Sequence, residues 1–138
     1  VVADAAQAAD LGIDVDSPGW RGVASHWPAP LSLVCPLAEP VAAAVGAGSL
    51  AVRVPAHPRL RRLLRDLATP LTATSANRSG EAPILDPCRV ADLLAGETGA
   101  VVDDGVLPGG PPSTLVRWAA EEARYVVLRE GAYPSRRL

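Results

Sequence analysis

LSLVCPLAEPVAAAVGAGSLAVRVPAHPRLRRLLRDL, from Leu31 to Leu67, carries the fold in outline. Leu and Val suit a pleated, buried surface, so a strand is expected over 31–35. Pro40 opens a short alanine-rich helix over 40–45, and Gly46 closes it; proline fits the first helical turn and glycine the residue just past the last. A second strand is expected over 49–54. Pro58 then starts a longer helix in which Leu60, Leu63, Leu64 and Leu67 mark one apolar face, with Arg59, Arg61, Arg62 and Arg65 on the others. Strand, helix, strand, helix in so short a span argues an α/β fold. Several connections are too short for a parallel crossover, so a mixed sheet is expected.

Upstream, Asp4 caps a helix over 5–11 that Gly12 stops, following what reads as the end of an apolar strand at Val1, Val2 and Ala3. Pro18 opens another helix toward 27, against which Gly19 and Gly22 weigh; Pro28 and Pro30 then force extension. Downstream, a short strand over 70–74 runs into Ser75-Ala76-Asn77-Arg78-Ser79-Gly80, and a helix follows over 87–94. A buried strand over 100–102, a Gly/Pro loop over 103–112, and strands over 113–118 and 125–129 complete the pattern. No repeat, low-complexity tract or linker interrupts it, so 1–138 is expected to be a single domain.

The 138 residues are 49% hydrophobic, enough for a core, and the net charge of -2 gives no general attraction to nucleic acid or membrane. Every one of the thirteen cations is arginine. A P-loop lysine or a lysine Schiff base within this chain is thereby excluded. Cys35 and Cys88 lack C-x-x-C spacing, and His26 and His57 show no ligand spacing with them, so no metal is assigned to these side chains. With no apolar run near about 18 residues and no signal-peptide pattern, a cytoplasmic protein is expected, without membrane association. Methionine is absent and the chain opens Val1-Val2-Ala3-Asp4, which reads as a start other than the native one.

Four places concentrate chemistry. The 73–80 segment sets hydroxyls, an amide and a guanidinium where a strand ends, a position where α/β sheets hold ligands; Ser75, Asn77 and Ser79 could polarise phosphate oxygens, and a capped turn explains the same residues. Arg53 interrupts the apolar run from Ser49 to Pro55. Such an arginine calls for a carboxylate or phosphate, whether a ligand's or the protein's own, or for water at a sheet edge. Ser113 and Thr114, and Arg129 before Glu130-Gly131, read singly as strand-start residues bonding backbone and as a surface cation. The arginines from Arg59 to Arg65 read first as a solvated helix face, with a phosphate-backbone contact to tRNA or double-stranded RNA as the other reading.

Taken in order, these segments resemble the YrdC/TsaC family of L-threonylcarbamoyl-AMP synthases. Trp27-Pro28-Ala29-Pro30-Leu31-Ser32 is similar to the family's Trp-Pro-Gly-Pro-Leu-Thr, and Val52-Arg53-Val54-Pro55 to its Val-Arg-Val-Pro. Ser75 to Gly80 matches its Ser-Ala-Asn-x-Ser-Gly loop, Pro112-Ser113-Thr114 its Pro-Ser-Thr, and Leu128-Arg129-Glu130-Gly131 its Leu-Arg-x-Gly. The resemblance implies a twisted mixed sheet with flanking helices around a concave cavity. There threonine and bicarbonate would give a carbamate that attacks the α-phosphate of ATP, with Mg2+, and a partner transferase would pass the product to tRNA. Carried over by motif, Arg53, Ser113 and the Ala73 backbone would hold threonine; Ser49, Ser75, Asn77 and Arg129 would contact ATP. No general base is named.

The family's N-terminal segment, with its substrate threonine and tyrosine and its Lys-x-Arg phosphate motif, has no counterpart in these residues. The chain is therefore expected to be the synthase without that segment. A short nucleotide- or RNA-binding homologue without catalysis and a module of a carbamoyltransferase are the alternatives. A sheet edge left uncovered would favour a homodimer.

Overall fold

The computed structural model describes residues 1–39 and 41–138. Pro40, placed above at the start of a helix, lies outside the described residues. The chain divides into two compact units, the larger formed by Val1–Thr72 with Pro111–Leu138 and the smaller by Ala73–Gly110.

In the larger unit, α1 (Ala5–Asp10) is capped by the Asp4 carboxylate, which accepts from the Gln7 N–H. α2 (Pro18–Ala24) is capped by Ser17, with Pro18 in its first turn. β1 (Leu31–Pro36), α3 (Val41–Val45), β2 (Ser49–Val52) and α4 (Pro58–Leu67) follow, and β3 (Thr114–Ala119) and β4 (Arg124–Arg129) close the unit with a 3-10 turn at Ser135–Arg137. The strands form one mixed sheet in the order β2-β1-β3-β4: β1 runs parallel to β3, and both outer pairs are antiparallel. Fold class and strand mixture are as the sequence indicates.

One sheet face, with Leu31, Leu33 and Cys35 of β1, Val52 of β2 and Val116 of β3, packs on Val2, Ala8, Trp20 and Val23 to make the core. Gly19 and Gly22, which argue against a helix on propensity, are needed for this packing. A Cβ on Gly19 would lie 2.5 Å from the Trp118 Cβ, and one on Gly22 would meet the Tyr125 hydroxyl. That hydroxyl donates to the Gly19 carbonyl at 2.6 Å. Tertiary approach thus outweighs about 1 kcal/mol of helix propensity per glycine. Gln7, buried, is satisfied at both ends: its Oε1 accepts from the Ala3 N–H and its Nε2 donates to the Leu64 carbonyl, tying α1 to α4.

Three expectations change. The helix begun at Pro18 ends at Ala24 and does not reach 27. The strand expected over 70–74 forms no ladder; only Leu71 exchanges backbone hydrogen bonds with Val1. The strand expected to be buried over 100–102 is irregular and exposed, with Val102 at 82%. Short apolar runs look like strands in sequence, but a strand exists only where another strand accepts its hydrogen bonds. On α4, only Leu64 of the four leucines is fully buried, while Leu63 and Leu67 are exposed. The smaller unit contains α5 (Pro87–Leu93), capped by Asp86, and otherwise irregular chain. No helix among the described residues is long and apolar enough to cross a membrane.

Candidate functional site

Side chains alternate across a strand, so the residues between the core-facing ones share the second sheet face: Ser32 and Val34 on β1, Ser49 and Ala51 on β2 with Arg53 just beyond it, Leu115 and Arg117 on β3. Arg129 sits opposite Leu115, next to a β-bulge between Leu115 and Val116. Every site residue expected in the larger unit therefore comes to one face or its edge.

At the amino ends of β1 and β3 these groups make a cluster. The hydroxyls of Ser32 and Ser113 are 2.9 Å apart. Arg129 donates from Nε and Nη2 to the Ser113 carbonyl at 3.2 and 2.8 Å, and Nη2 also reaches the Ser113 hydroxyl at 3.4 Å. Arg53 is half-buried, and burial, followed by the charge of Arg129, lowers its pKa from the usual guanidinium value. It remains a cation at neutral pH. Neither Arg53 nor Arg129 makes an ion pair among the described residues. Two guanidiniums that feel each other, with no carboxylate between them, form a site for a carboxylate or phosphate, because an anion relieves their repulsion and fits their planar forks.

The cluster rests on a bracket in which Thr114, expected as a strand-start residue bonding backbone, does so to a distant segment. Thr114, fully buried, donates from its hydroxyl to the Tyr133 carbonyl at 2.6 Å, and its oxygen accepts from the N–H groups of Gly131 and Tyr133 at 2.9 and 3.2 Å. A Cβ on Gly131 would lie 2.2 Å from the Pro112 carbonyl oxygen. The Pro-Ser-Thr and Leu-Arg-x-Gly signatures are thus one physical object, two chain segments locked together so that Ser113 and Arg129 meet. The sequence signal was a threonine beside Ser113 and a glycine two residues after Arg129. Ser32, also buried, stands where the resembled family motif has threonine and holds the Ser113 hydroxyl.

Ser49 lies on the same face as Arg53 at the opposite end of β2, exposed, and four residues of strand separate the two by about 13 Å. It makes no contact with the cluster, although an extended ligand could reach from one to the other.

In the smaller unit, Ala73 and Ser75 are exposed in irregular chain. Asn77 spends both its N–H donors on its own loop, where Nδ2 donates to the carbonyls of Arg78 and Glu81 at 2.8 and 3.1 Å, and Oδ1 accepts from the Ser75 hydroxyl. Its role here is to shape the turn. With the Ser75 proton directed at Asn77, the backbone N–H groups, the Ser79 hydroxyl and Arg78 are the loop's remaining donors to an anion.

For Mg2+, the donor set does not fit a protein cage. The cluster offers guanidiniums and hydroxyls, and among the described residues no group of three or more His, Cys, Asp or Glu gathers at one point. The chemistry such an arrangement performs is binding and charge neutralisation, since neither serine of the cluster is hydrogen-bonded to a base.

Known proteins give the same picture. The Sua5/YciO/YrdC family model, described as telomere recombination, matches residues 1–131. The threonylcarbamoyl-AMP synthase of Idiomarina loihiensis is 31% identical over 96 residues, covering 68% of this chain and 52% of that protein. Its namesake from Pyrococcus abyssi is 34% identical over 110 residues, covering 78% of this chain and 32% of the relative. The crystal structure of P. abyssi Sua5 complexed with L-threonine superposes with a TM-score of 0.77 at 31% identity, covering 94% of this chain and 38% of that one. E. coli YciO, at 23% identity and a TM-score of 0.75, shares the fold. The chain spans 52% or less of the length of these curated relatives. Motifs, sheet and family match agree, and the chain belongs to the Sua5/YciO/YrdC family.

Proposed function

We propose that this chain forms the substrate-holding sheet of an L-threonylcarbamoyl-AMP synthase acting in tRNA N6-threonylcarbamoyladenosine modification in the cytoplasm. The observation that carries the reading is the pair Arg53 and Arg129, without an acidic partner among the described residues, set around the hydroxyls of Ser32 and Ser113. Related proteins named for this activity, and one solved with L-threonine, support it.

In this reading Arg53 takes the threonine carboxylate, with Ser113 beside the amino acid. Arg129 and Ser49 attend the nucleotide. Threonine nitrogen and bicarbonate combine with loss of water to give a carbamate. Its oxygen forms a bond to the ATP α-phosphorus as the bond to pyrophosphate breaks. Negative charge builds on the phosphoryl oxygens in that step, and fixed guanidiniums stabilise it without having to reorganise. Magnesium enters with ATP as part of the substrate. The product then goes to a tRNA-modifying transferase.

Isothermal titration of Mg-ATP into the protein, with and without saturating threonine and bicarbonate, tests the proposal. Nucleotide binding strengthened by threonine is expected. Absence of heat in both conditions would sink the assignment for this chain.

A further inference from the structure

Ser32 is 7% exposed, and among the described residues its hydroxyl has one hydrogen-bond partner, the Ser113 hydroxyl at 2.9 Å. The backbone holds the two serines together. In the parallel pair Leu31 lies opposite Thr114 and Ser32 opposite Leu115, and the Thr114 N–H donates to the Pro30 carbonyl at 2.9 Å. Leu31 and Thr114, the chain neighbours of the two serines, are fully buried on the core face, so neither strand start can shift to part the hydroxyls.

A hydrogen bond between two hydroxyls can run either way, and the surroundings decide which. A guanidinium only donates, so the Arg129 Nη2 contact at 3.4 Å uses the Ser113 hydroxyl oxygen as acceptor. Buried Ser32 has no acceptor for its own proton among the described residues except that same oxygen. A buried donor left unmade costs more than an acceptor left half-filled, so the Ser32 proton points at Ser113. Both lone pairs of the Ser113 oxygen are then filled. Its proton has no acceptor within the fold among the described residues and is left for a bound group. Arg129, in contact with Ser113, and Arg53, close enough to feel its charge, make that group an anion.

We infer that Ser32 is a positioning residue, whose hydroxyl fixes Ser113 as a one-way proton donor to the anion held by the two arginines. This deepens the proposed threonine site and rests on the cluster holding an anion. Ser32 acts through Ser113 and need not touch the ligand. With its lone pairs filled, Ser113 donates to a carboxylate or phosphate oxygen and does not accept from a ligand ammonium or hydroxyl. The relay from Ser32 to Ser113 to the anion also polarises each bond in turn, which strengthens the last one.

A double-mutant cycle over Ser32→Ala and Ser113→Ala tests it, read by calorimetric titration of L-threonine and, separately, of inorganic pyrophosphate as a simple anion. Ser32→Ala alone is expected to weaken binding by about 3- to 10-fold, the usual worth of one hydrogen bond. In the Ser113→Ala background the same change should cost nothing further, because the group it acts through is gone. Ser32→Thr, which keeps the hydroxyl, should restore the parent's affinity. Additive losses, as a general loosening of the sheet would give, unchanged affinity in Ser32→Ala, or no recovery in Ser32→Thr would each overturn the inference. A parent that binds pyrophosphate but not threonine would sink the synthase reading, and the pyrophosphate cycle would still decide the role of Ser32. Binding of neither would remove the anion site and the inference with it.

Discussion

The Arg129 guanidinium donates twice to the carbonyl of Ser113, at 2.8 and 3.2 Å, and reaches its hydroxyl at 3.4 Å, so a single side chain both fastens the start of β3 and joins the cluster of serine hydroxyls. Lysine can supply the charge but not the fork. Arg129→Lys is therefore expected to weaken ATP binding by about tenfold while leaving the thermal midpoint nearly unchanged, because the residue is exposed. Calorimetry beside a melting curve separates the two effects.

Arg53 differs from Arg129 in being half-buried and making no side-chain hydrogen bond among the described residues, so its donors are available to a ligand. Arg53→Ala should lower threonine affinity by about 10- to 100-fold, the equivalent of a charge-assisted bond of about 1.5–3 kcal/mol, and should lower ATP affinity less. Equal losses for both ligands would count against its role as the amino-acid clamp.

The bracket under the cluster makes its own prediction. Thr114→Val keeps shape and volume but leaves the N–H groups of Gly131 and Tyr133 without their acceptor, at a cost of about 1–3 kcal/mol each. Thr114→Ser, which retains the oxygen, should recover most of that stability in chemical denaturation. Gly131→Ala should do worse than either, since the Pro112 carbonyl it would strike is backbone and cannot swing away.

What could be read from sequence, and what could not, follows the range of the physics involved. Local signals located the cap at Asp4, the prolines opening α2 and α4, the helix over 87–94 and the four strands, because these depend on residues a few positions apart. Contacts between distant segments were out of reach. Nothing local says that Gly19 must admit Trp118, that Thr114 serves the turn at 131–133, or that 100–102 lacks a pairing strand. Arg53 was conspicuous as a charge in an apolar strand, whereas the role of Ser32 was hidden because a serine in a strand carries no comparable anomaly.

Asn77 resembles a phosphate ligand in sequence, but both its N–H donors are engaged in its own turn. Asn77→Ala should thus free the carbonyls of Arg78 and Glu81 and loosen the loop. Faster limited proteolysis between 75 and 81 is expected, together with a loss of ATP affinity larger than that of Ser75→Ala, for which about 1–3 kcal/mol is the ceiling of one buried hydrogen bond. If Ser75→Ala proves the more damaging and proteolysis is unchanged, Asn77 is a ligand contact after all.

Cys35 gives the pH dependence a definite sign. Burial pushes its thiol from its ordinary pKa of 9.0 up to about 12, so between these values the unfolded chain loses a proton that the folded chain keeps. Stability from this group is present in full below pH 9 and is lost as pH rises toward about 12. Cys35→Ala will be less stable at neutral pH because it leaves a cavity, yet its stability should fall less steeply than the parent's across that alkaline window. Cys88, exposed, is the internal control: Cys88→Ala should follow the parent's slope, and its thiol should react with an aromatic disulfide reagent long before that of Cys35. Parallel slopes for the parent and Cys35→Ala would mean that the Cys35 thiol ionises as readily in the folded protein as in the unfolded chain.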